Sequence, residues 1–386
     1  MGEFFKNVIF RKNPVRQLNF LSASSACIII IYSHLGLRAY ALTLGFYIPG
    51  RWPGGSKWVK LKVEMILGIG FVISACFLWG LIFVVPQFMV GYSPLEIALA
   101  RYFFYGLLSA IFLLGWRRDL FRQLSWTVLR KALWFGLIAN ILYYPCLVLS
   151  IKYATPVIAT LIFGLSPIAI ALYGNWKQKE CSFSSLIVPI LGIATGLVLV
   201  NWPALRESSL DGSLGDYCLG IFFGLVSVGL WTYYAVSNAR FLKTVGEMSS
   251  LNWSSIVGVA TLAWVLLFMG ASVLYEGPTA FAWKYLTLHP EMQSFMLGGL
   301  ALGFFSTWLG MYLWNLGSSR LPVSFAGQLT VFETIFGLSF VFIVDQQLPS
   351  FIEMIGASLM ISGVIFSINA FNYRSAESNV RSGVSS

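Results

Sequence analysis

The chain has 386 residues, of which 58% are hydrophobic and only 10% are charged, and its formal net charge is +10. Charged residues make up about a quarter of an ordinary soluble domain, so this composition excludes a conventional soluble globule and predicts a chain that lies mostly in lipid. The basic residues fall in short clusters between apolar runs, which indicates membrane topology and excludes a nucleic-acid-binding face.

Ten apolar runs are long enough to cross a bilayer as helices. About 20 apolar residues are needed to span a hydrocarbon core of about 30 Å, because lipid offers no partner for backbone polar groups. In chain order the predicted spans, numbered 1 to 10, are 65–85, 94–114, 130–149, 156–174, 186–201, 216–238, 251–275, 293–316, 322–344 and 351–372. The sequence therefore predicts an all-α polytopic membrane protein with ten transmembrane helices.

The stretch before Met65 does not fit this scheme. Its segment Ala26–Gly50 is apolar overall, but His34 and Arg38 interrupt it, and an arginine inside a span costs roughly 2.5–3.5 kcal/mol on insertion scales. We therefore favour a cytoplasmic or interfacial extension over positions 1–64 rather than an eleventh span. A transit peptide and a true start at Met65 remain open alternatives.

The distribution of lysine and arginine predicts the orientation, because short cytoplasmic loops accumulate these residues. With both ends placed inside, only Lys152, Arg206 and Lys284 fall on the outer side. The inner side receives sixteen, namely Arg51, Lys57, Lys60, Lys62, Arg117, Arg118, Arg122, Arg130, Lys131, Lys177, Lys179, Arg240, Lys243, Arg320, Arg374 and Arg381. This asymmetry predicts a multi-pass protein of the inner membrane with cytoplasmic ends.

An internal repeat divides the ten spans into two halves. The matched residues are Gly68 and Trp79 with Gly220 and Trp231 (offset 152), Pro156 with Pro322 (offset 166), and Pro189 and Gly196 with Gly356 and Gly363 (offset 167). Because each half has five spans, the second half enters the membrane from the opposite side, which is the inverted-repeat topology of many transporters. We place the two five-helix repeats at 65–201 and 216–372, followed by a cytoplasmic tail at 373–386.

Short motifs spread over most of the chain resemble the ten-helix EamA-type branch of the drug/metabolite transporter superfamily. They are Trp79-Gly80, Ser93-Pro94, Arg101-Tyr102-Phe103, Lys152-Tyr153-Ala154, Leu165-Ser166-Pro167 and the run from Gly356 to Val364. The resemblance implies a cavity between spans 1 to 4 and 6 to 9, with spans 5 and 10 peripheral, and transport of small organic solutes, often amino-acid export. The chain departs from the pattern at Pro189, where glycine is usual, and at Glu333, whose repeat partner is Pro167.

Glu333 is the first candidate for a functional residue. It lies eleven residues beyond Pro322, about 16 Å into the membrane at 1.5 Å per residue and so near the midplane. An ionisable group at that depth is expensive and is a functional candidate by default. Glu333 could bind a substrate ammonium or exchange protons, and the alternative is that it is permanently paired and only locks its helix.

Arg101 lies about 10 Å from the opposite face, seven residues beyond Pro94. Its side chain could span the distance to Glu333 and pair the two halves. We favour a structural or gating role for Arg101, as a clamp to helix-end carbonyls or to Glu96. Pro145 and Pro167, inside spans 3 and 4, are expected to kink or hinge them, either for gating or for packing alone.

Further polar and aromatic residues inside the spans are candidates to line a substrate site. The full set of substrate-binding candidates is Glu333, Gln328, Trp79, Trp231, Asn140, Tyr144, Tyr234, Trp308 and Tyr312. Aromatic side chains with one polar end suit a cavity that holds an apolar group and also hydrogen-bonds it, and uncharged amides in lipid need partners. Each of them could equally serve packing or face lipid.

The sequence lacks the residue patterns that metal sites and membrane-embedded enzymes require. The two histidines, His34 and His289, lie outside the predicted spans, and the five cysteines show no metal-like spacing, so we predict no metal site and no cofactor. No motif of a membrane-embedded enzyme is present. We therefore predict a secondary transporter of small metabolites, with proton coupling open, as a monomer or weak homodimer in membrane lipid; the alternative is a channel-like or structural membrane protein.

Overall fold

The computed structural model describes residues 57–154, 156–207, 213–244, 248–276, 290–346 and 348–383. Helices account for nearly all of these residues, and the described ranges contain no β-strand. The stretch Ala26–Gly50, considered above as an eleventh span, lies outside them.

We number the ten main helices α1 to α10, so that each corresponds to the predicted span of the same number. Their bounds are Lys57–Gly80 (α1), Pro94–Trp116 (α2), Trp126–Tyr153 (α3), Pro156–Phe163 with Ser166–Gln178 (α4), Phe183–Val200 (α5), Leu214–Thr244 (α6), Ser250–Glu276 (α7), Pro290–Ala301 continuing through Leu302–Leu309 and Gly310–Arg320 (α8), Val323–Leu329 with Val331–Val344 (α9) and Phe351–Gly383 (α10). Two 3₁₀ turns, Leu81–Phe83 and Val85–Phe88, prolong α1, and the short helices Arg118–Gln123 and Trp202–Glu207 lie in connections.

Nine helices in the described ranges are long and apolar enough to cross a membrane, and α10 adds the shorter apolar stretch Phe351–Ser367. The prediction of an all-α polytopic membrane protein is confirmed. The helix α1 begins at Lys57, ahead of the predicted span 65–85, whereas its candidate membrane span is Val63–Phe88. Hydropathy detects only the apolar part of a helix, whereas backbone hydrogen bonds continue into the polar turn that carries Lys57 and Lys60. The predicted extension 1–64 therefore overlaps the first helix.

Two glutamates near helix ends have local structural roles. Glu96 forms a capping box with Ser93 at the start of α2: the Ser93 N–H donates to Glu96 Oε2 at 2.7 Å, and the Glu96 N–H donates to Ser93 Oγ. Glu353 repeats the arrangement with Ser350 at the start of α10. Such boxes satisfy backbone donors that a helix start leaves unpaired, so both carboxylates are accounted for.

Small residues bring neighbouring helices into backbone contact. Gly106 of α2 faces Leu262 and the carbonyl of Gly258 on α7, and a Cβ at Gly106 would collide with them. Gly192 and Gly363 join α5 to α10 in the same way. Close approach through small residues is how membrane helices gain packing energy, because lipid is as apolar as the side chains it would replace.

A buried polar network ties α6, α7 and α8 together. Asn238 Nδ2 donates to Asn315 Oδ1 at 2.7 Å, and Asn315 Nδ2 donates to Ser254 Oγ at 2.8 Å. The Trp253 indole N–H donates to Asn238 Oδ1 at 2.7 Å. All four residues are buried, so each amide satisfies its neighbour where water cannot.

Replacing Asn315 by Leu is expected to lower the free energy of unfolding by about 1–3 kcal/mol, because Asn238 Nδ2 and Ser254 would lose a buried partner. Thermal denaturation of the detergent-purified protein measures the effect. Ser358→Ala is the control, since Ser358 is exposed and its hydroxyl donates to the Met354 carbonyl of its own helix. Equal melting temperatures for Asn315→Leu and wild type would contradict this role of the network.

Candidate functional site

The fourth and ninth helices are both interrupted near the middle of their spans. α4 breaks at Gly164 and Leu165, and α9 breaks at Thr330. The sequence positions of Gly164 and Thr330 differ by the same offset that relates Pro156 to Pro322. Transporters use interrupted membrane helices to direct helix ends and free backbone groups at ions and substrates. The paired breaks mark the middle of the bundle as the candidate site.

Glu333 lies at the break of α9, in the first turn of its second piece. It is the eleventh residue of the span Val323–Val344, and its N–H donates to the Thr330 carbonyl at 3.0 Å. The positive end of the helix dipole therefore lies beside the carboxylate and favours its negative charge. The side chain is half-buried, and among the described residues no hydrogen bond or ion pair to its carboxylate is recorded.

Backbone groups at the break are satisfied by neighbouring side chains. The Cys76 thiol of α1 points at the Leu329 carbonyl, with 3.6 Å between sulfur and oxygen. The Thr330 hydroxyl donates to the Gly327 carbonyl at 2.6 Å. These two side chains bond carbonyls beside the break, so the break does not need the Glu333 carboxylate as a partner.

Arg101 of α2 is the second charged residue of the candidate site. Its Nε donates to Thr307 Oγ1 of α8 at 2.6 Å, and the guanidinium lies 5.2 Å from the Tyr102 ring. The side chain is buried, with 8% of its surface exposed. Glu96, the carboxylate considered as its partner from the sequence, takes part in the capping box with Ser93. Within the part of the chain that the structure describes, no hydrogen bond is recorded for the two Nη groups of Arg101.

Arg101 and Glu333 interact electrostatically without forming a direct ion pair. Both residues lie well inside their spans, Pro94–Trp116 and Val323–Val344. Separated unlike charges of this kind can hold a zwitterion between them, because each finds its counter-charge in the ligand. This geometry is the main chemical feature of the site.

Aromatic rings from five helices contact one another in a connected set. Ring-centroid distances connect Trp79 with Trp231 (5.9 Å), Trp79 with Trp314 (5.6 Å), Trp231 with Tyr143 (5.5 Å), Trp231 with Tyr234 (5.6 Å), Tyr143 with Tyr144 (6.1 Å) and Tyr143 with Phe163 (6.0 Å). Tyr143 also meets Tyr102 through their hydroxyls at 3.5 Å. Trp231, Tyr144 and Phe163 are only partly buried. We call Trp79, Trp231, Trp314, Tyr143, Tyr144, Tyr234 and Phe163 the aromatic cluster.

The structure brings four of the predicted aromatic residues into this cluster, namely Trp79, Trp231, Tyr144 and Tyr234. Trp308 lies elsewhere: its indole N–H donates to Ser255 Oγ at 3.2 Å, and its ring stacks on Phe304 and meets Phe112. Tyr312 is half-buried, and no ring contact is recorded for it among the described residues. These two are therefore not part of the cluster.

The two predicted amides occupy different environments. Asn140 is buried in a π-helical segment of α3 and donates from Nδ2 to Thr261 Oγ1 of α7 at 2.9 Å. Gln328 is fully buried on the first piece of α9, and neither its Oε1 nor its Nε2 has a hydrogen-bond partner in the described ranges. Asn140 thus joins two helices, whereas Gln328 carries an unsatisfied amide one turn from Glu333 along the chain.

The two predicted hinge prolines lie at irregular points of their helices. Pro145 follows the π-helical segment Leu137–Leu142 of α3 by three residues, and proline cannot donate to the carbonyl four residues earlier. Pro167 lies in the first turn of the second piece of α4. Proline is well tolerated there because the first turn has no intrahelical partner for its N–H.

Sequence reasoning did not select Thr307, Tyr143, Trp314 or Glu180. Tyr143 is adjacent to the selected Tyr144 and differs from it only by its direction on the helix. Thr307 carried a signal that was not used, since it follows Asn140 at the offset already found between the fifth and tenth spans. Trp314 carried no distinguishing signal.

Polar contacts join the ends of α4, α6 and α9 at one end of the bundle. Glu180, just after α4, accepts hydrogen bonds from the N–H groups of Val323 (2.6 Å) and Ser324 (2.8 Å) and from the Ser324 hydroxyl. Lys243 of α6 donates to the Leu321 carbonyl at 2.7 Å. We call this the closed end.

Further contacts reinforce the closed end. Arg320 of α8 pairs with Glu64 of α1 at 3.1 Å. Gly174 of α4 lies against Ser324, and Gly327 of α9 lies against Ile170. The second piece of α4 and the first piece of α9 are therefore packed side by side.

Beyond their breaks, α4 and α9 separate. The first piece of α4 packs against α6, where Ile162 meets Gly224. The second piece of α9 packs against the end of α1, where Gly337 meets Phe83. The two helices are thus joined at the closed end and diverge toward the other, so the aromatic cluster and the charged pair lie where they begin to part.

Two grooves on the surface of the described part lie away from the charged pair. One runs between α3 and α7 and is lined by Leu133, Trp134 and Trp264 with Arg130 and Lys131 at its end. The other runs between α5 and α10. Both are lined almost entirely by apolar surface, as expected of helices that face lipid.

Comparison with known proteins agrees with this architecture. The EamA-like transporter family model matches residues 66–202 and again residues 218–369. The inner membrane protein YtfF of Escherichia coli K12 is 30% identical over 311 residues, which cover 79% of this chain and 96% of YtfF. The uncharacterized transporter YyaM of Bacillus subtilis 168 is 26% identical and covers 78% of this chain and 92% of its own length.

A solved crystal structure has the same fold, with a TM-score of 0.62 and 19% identity over 79% of this chain and 96% of that one. Interrupted helices in paired positions and a charged, aromatic centre define a polytopic membrane transporter. The chain belongs to the EamA-like transporter family, and with it to the drug/metabolite transporter superfamily.

Proposed function

We propose that this protein exports amino acids or related small metabolites across the inner membrane by alternating access. The proposal rests mainly on Arg101 and Glu333, two unlike charges that lie inside the bundle without pairing directly. The carboxylate of an amino acid would bind the Nη groups of Arg101, and its ammonium would bind Glu333. The aromatic cluster would hold an apolar side chain, as aromatic pockets commonly do.

The same proposal covers topology and motion. The halves 65–201 and 216–372 are two inverted repeats, both chain ends are cytoplasmic, and the closed end is the cytoplasmic end. In this arrangement the site opens toward the outside. Export requires a second state in which the contacts of Glu180 and Lys243 break and the opposite ends of α4 and α9 meet.

Transport in proteoliposomes tests the proposal. A panel of the common amino acids is compared with their decarboxylated amines and with the matching 2-oxo acids, at two pH values. We expect saturable transport of apolar amino acids, with KM raised roughly tenfold or more for either analogue, because each lacks one charged contact. Leucine, 3-methylbutylamine and 4-methyl-2-oxopentanoate form one such matched set.

The alternatives give distinct results. Flux that rises linearly with concentration would favour a channel-like protein, and no flux with any solute would favour a structural role. Transport accelerated by an imposed pH gradient would add proton coupling. Saturable transport that does not distinguish an amino acid from its amine would overturn the assignment of the carboxylate to Arg101.

A further inference from the structure

The hydrogen bond that holds Arg101 has a counterpart in the other half of the protein. Both α3 and α8, the third helices of their halves, contain a π-helical segment, Leu137–Leu142 and Leu302–Leu309. The offset between the two segments is 165 at their starts and 167 at their ends, close to the repeat offsets of 166 and 167. π-helical turns are rare and are frequently found at functional sites, so their recurrence at equivalent positions is informative.

In the first half, the segment of α3 interlocks with α7. Gly136, directly before the segment, lies against the backbone and hydroxyl of Thr261. Asn140 donates from Nδ2 to Thr261 Oγ1 at 2.9 Å, and Thr261 Oγ1 donates to the Val257 carbonyl at 2.9 Å. We call this contact the α3–α7 interlock.

In the second half, the segment of α8 interlocks with α2 in the same way. Gly303 lies against the carbonyl of Arg101 and the N–H of Tyr105. Arg101 Nε donates to Thr307 Oγ1 at 2.6 Å, and Thr307 Oγ1 donates to the Leu302 carbonyl at 3.1 Å. We call this contact the α2–α8 interlock.

The two interlocks are related by the internal repeat. Gly136 corresponds to Gly303 and Asn140 to Thr307, both at offset 167, and Arg101 corresponds to Thr261 at offset 160. The last value lies between the offset of 152 for the first helices and 166 for the fourth. Each interlock also joins a helix of one half to a helix of the other.

The interlocks differ in charge. The α3–α7 interlock is neutral, and both of its polar side chains bond one another. In the α2–α8 interlock the Thr307 hydroxyl accepts a hydrogen bond from Nε of Arg101. The guanidinium has two further nitrogens, the Nη groups. Those two Nη groups have no recorded hydrogen bond in the described ranges. Tyr143, Tyr144 and Glu333 interact electrostatically with Arg101.

We propose that Thr307 is a positioning residue for substrate binding: its hydroxyl holds Arg101 by Nε so that the Nη groups present a fixed fork to the carboxylate of the substrate. This role rests on the proposed function, in which Arg101 binds that carboxylate. A planar guanidinium binds a carboxylate best through two parallel hydrogen bonds, so fixing its plane raises affinity. Thr261, the threonine of the α3–α7 interlock, serves packing only.

Three variants separate positioning from packing. Thr307→Val keeps the shape of the side chain and removes the hydroxyl, Thr307→Ser retains the hydroxyl, and Thr261→Val breaks the equivalent bond of the neutral interlock. KM and Vmax are measured in proteoliposomes for leucine and for 3-methylbutylamine, which lacks the carboxylate. Thermal denaturation of each purified variant reports its folding.

We expect Thr307→Val to raise KM for leucine roughly tenfold, the effect of losing a hydrogen bond to a charged group, with Vmax nearly unchanged. KM for 3-methylbutylamine should stay within about twofold of wild type, because this amine has no carboxylate and loses no hydrogen bond to Arg101. Thr307→Ser should restore KM for leucine, and Thr261→Val should leave it unchanged.

The outcomes that overturn the role differ from those that overturn the proposed function. If wild type transports leucine but Thr307→Val leaves its KM unchanged, or raises KM equally for both solutes, Thr307 does not position Arg101. The same conclusion follows if Thr261→Val raises KM for leucine as much as Thr307→Val. If the wild-type protein transports neither leucine nor any amino acid of the panel, the proposed function itself is refuted, and this role with it.

Discussion

Glu333→Gln is expected to lower Vmax/KM for amino acids by about 100-fold or more while the protein still inserts and folds. The carboxylate supplies the negative charge at the break of α9, and the isosteric amide keeps its shape without that charge. In the proposed complex Glu333 forms a buried charge pair with the substrate ammonium. Loss of one partner of such a pair costs about 3–5 kcal/mol, which corresponds to more than two orders of magnitude in affinity. Transport in proteoliposomes measures the change, and Glu353→Gln is the matched control.

The control is informative because Glu353 is also a glutamate within a membrane helix but bonds the Ser350 N–H at a helix start. Glu353→Gln should transport as wild type does. Acidification should inhibit the wild-type protein, since protonation removes the charge of Glu333, and this inhibition should vanish in Glu333→Gln. The titratable or charged side chains recorded as interacting with Glu333 are Arg101 from α2 and Cys76 from α1. Unchanged transport and unchanged pH dependence in Glu333→Gln would remove it from the mechanism.

Glu180→Ala is expected to open the closed end and slow transport. The substitution removes the acceptor of the Val323 and Ser324 N–H groups, and hydrogen bonds to a charged group contribute about 1.5–3 kcal/mol each. The equilibrium between the two access states should therefore shift by roughly tenfold or more. Cys181, buried beside Glu180, provides the readout: its alkylation by N-ethylmaleimide, followed by mass spectrometry, should accelerate by a similar factor.

Cys218 is an internal reference for this experiment, because its thiol is already exposed and should react equally in both proteins. Lys243→Ala removes the bond to Leu321 from a helix that does not carry Cys181, so it should accelerate alkylation of Cys181 in the same direction. Acceleration in Glu180→Ala alone, with normal transport, would mean that only the loop around Cys181 has loosened. That result would contradict a role in closing the site.

The sequence predicts the number and order of the helices well because lipid imposes one strong rule, namely that a spanning segment must be apolar and must satisfy its own backbone. It does not show where such a segment is interrupted. Pro167 predicts a kink or hinge in span 4 and nothing predicts a break in span 9, yet both helices break. Gly164 and Pro167 are local signals of the first break, whereas Thr330 is unremarkable by itself and is found only by carrying Gly164 forward by the repeat offset.

Site residues were predictable from the sequence where a residue is costly to bury in lipid or recurs at matched positions of the two halves. They were less predictable where the direction of the side chain on its helix decides the role. Glu333 is identified by its charge, and Trp79 and Trp231 by their matched positions. Trp308 and Tyr312 could not be placed, because α8 passes through the π-helical segment Leu302–Leu309. An extra residue in a turn rotates everything after it by about 100° relative to a regular helix. Sequence spacing alone therefore does not give the direction of these side chains.

The contact between α5 and α10 has a mechanical consequence. Gly192 meets Gly363, and Gly196 meets Gly356, with backbone against backbone at both points, and the two helices come from opposite halves of the chain. In the proposed alternating access this seam would lie on the axis about which the two halves turn, since displacement grows with distance from the line where two bodies touch. The four glycines set how closely α5 and α10 approach. A larger side chain at any of them would move the two halves apart and tilt their helices relative to one another.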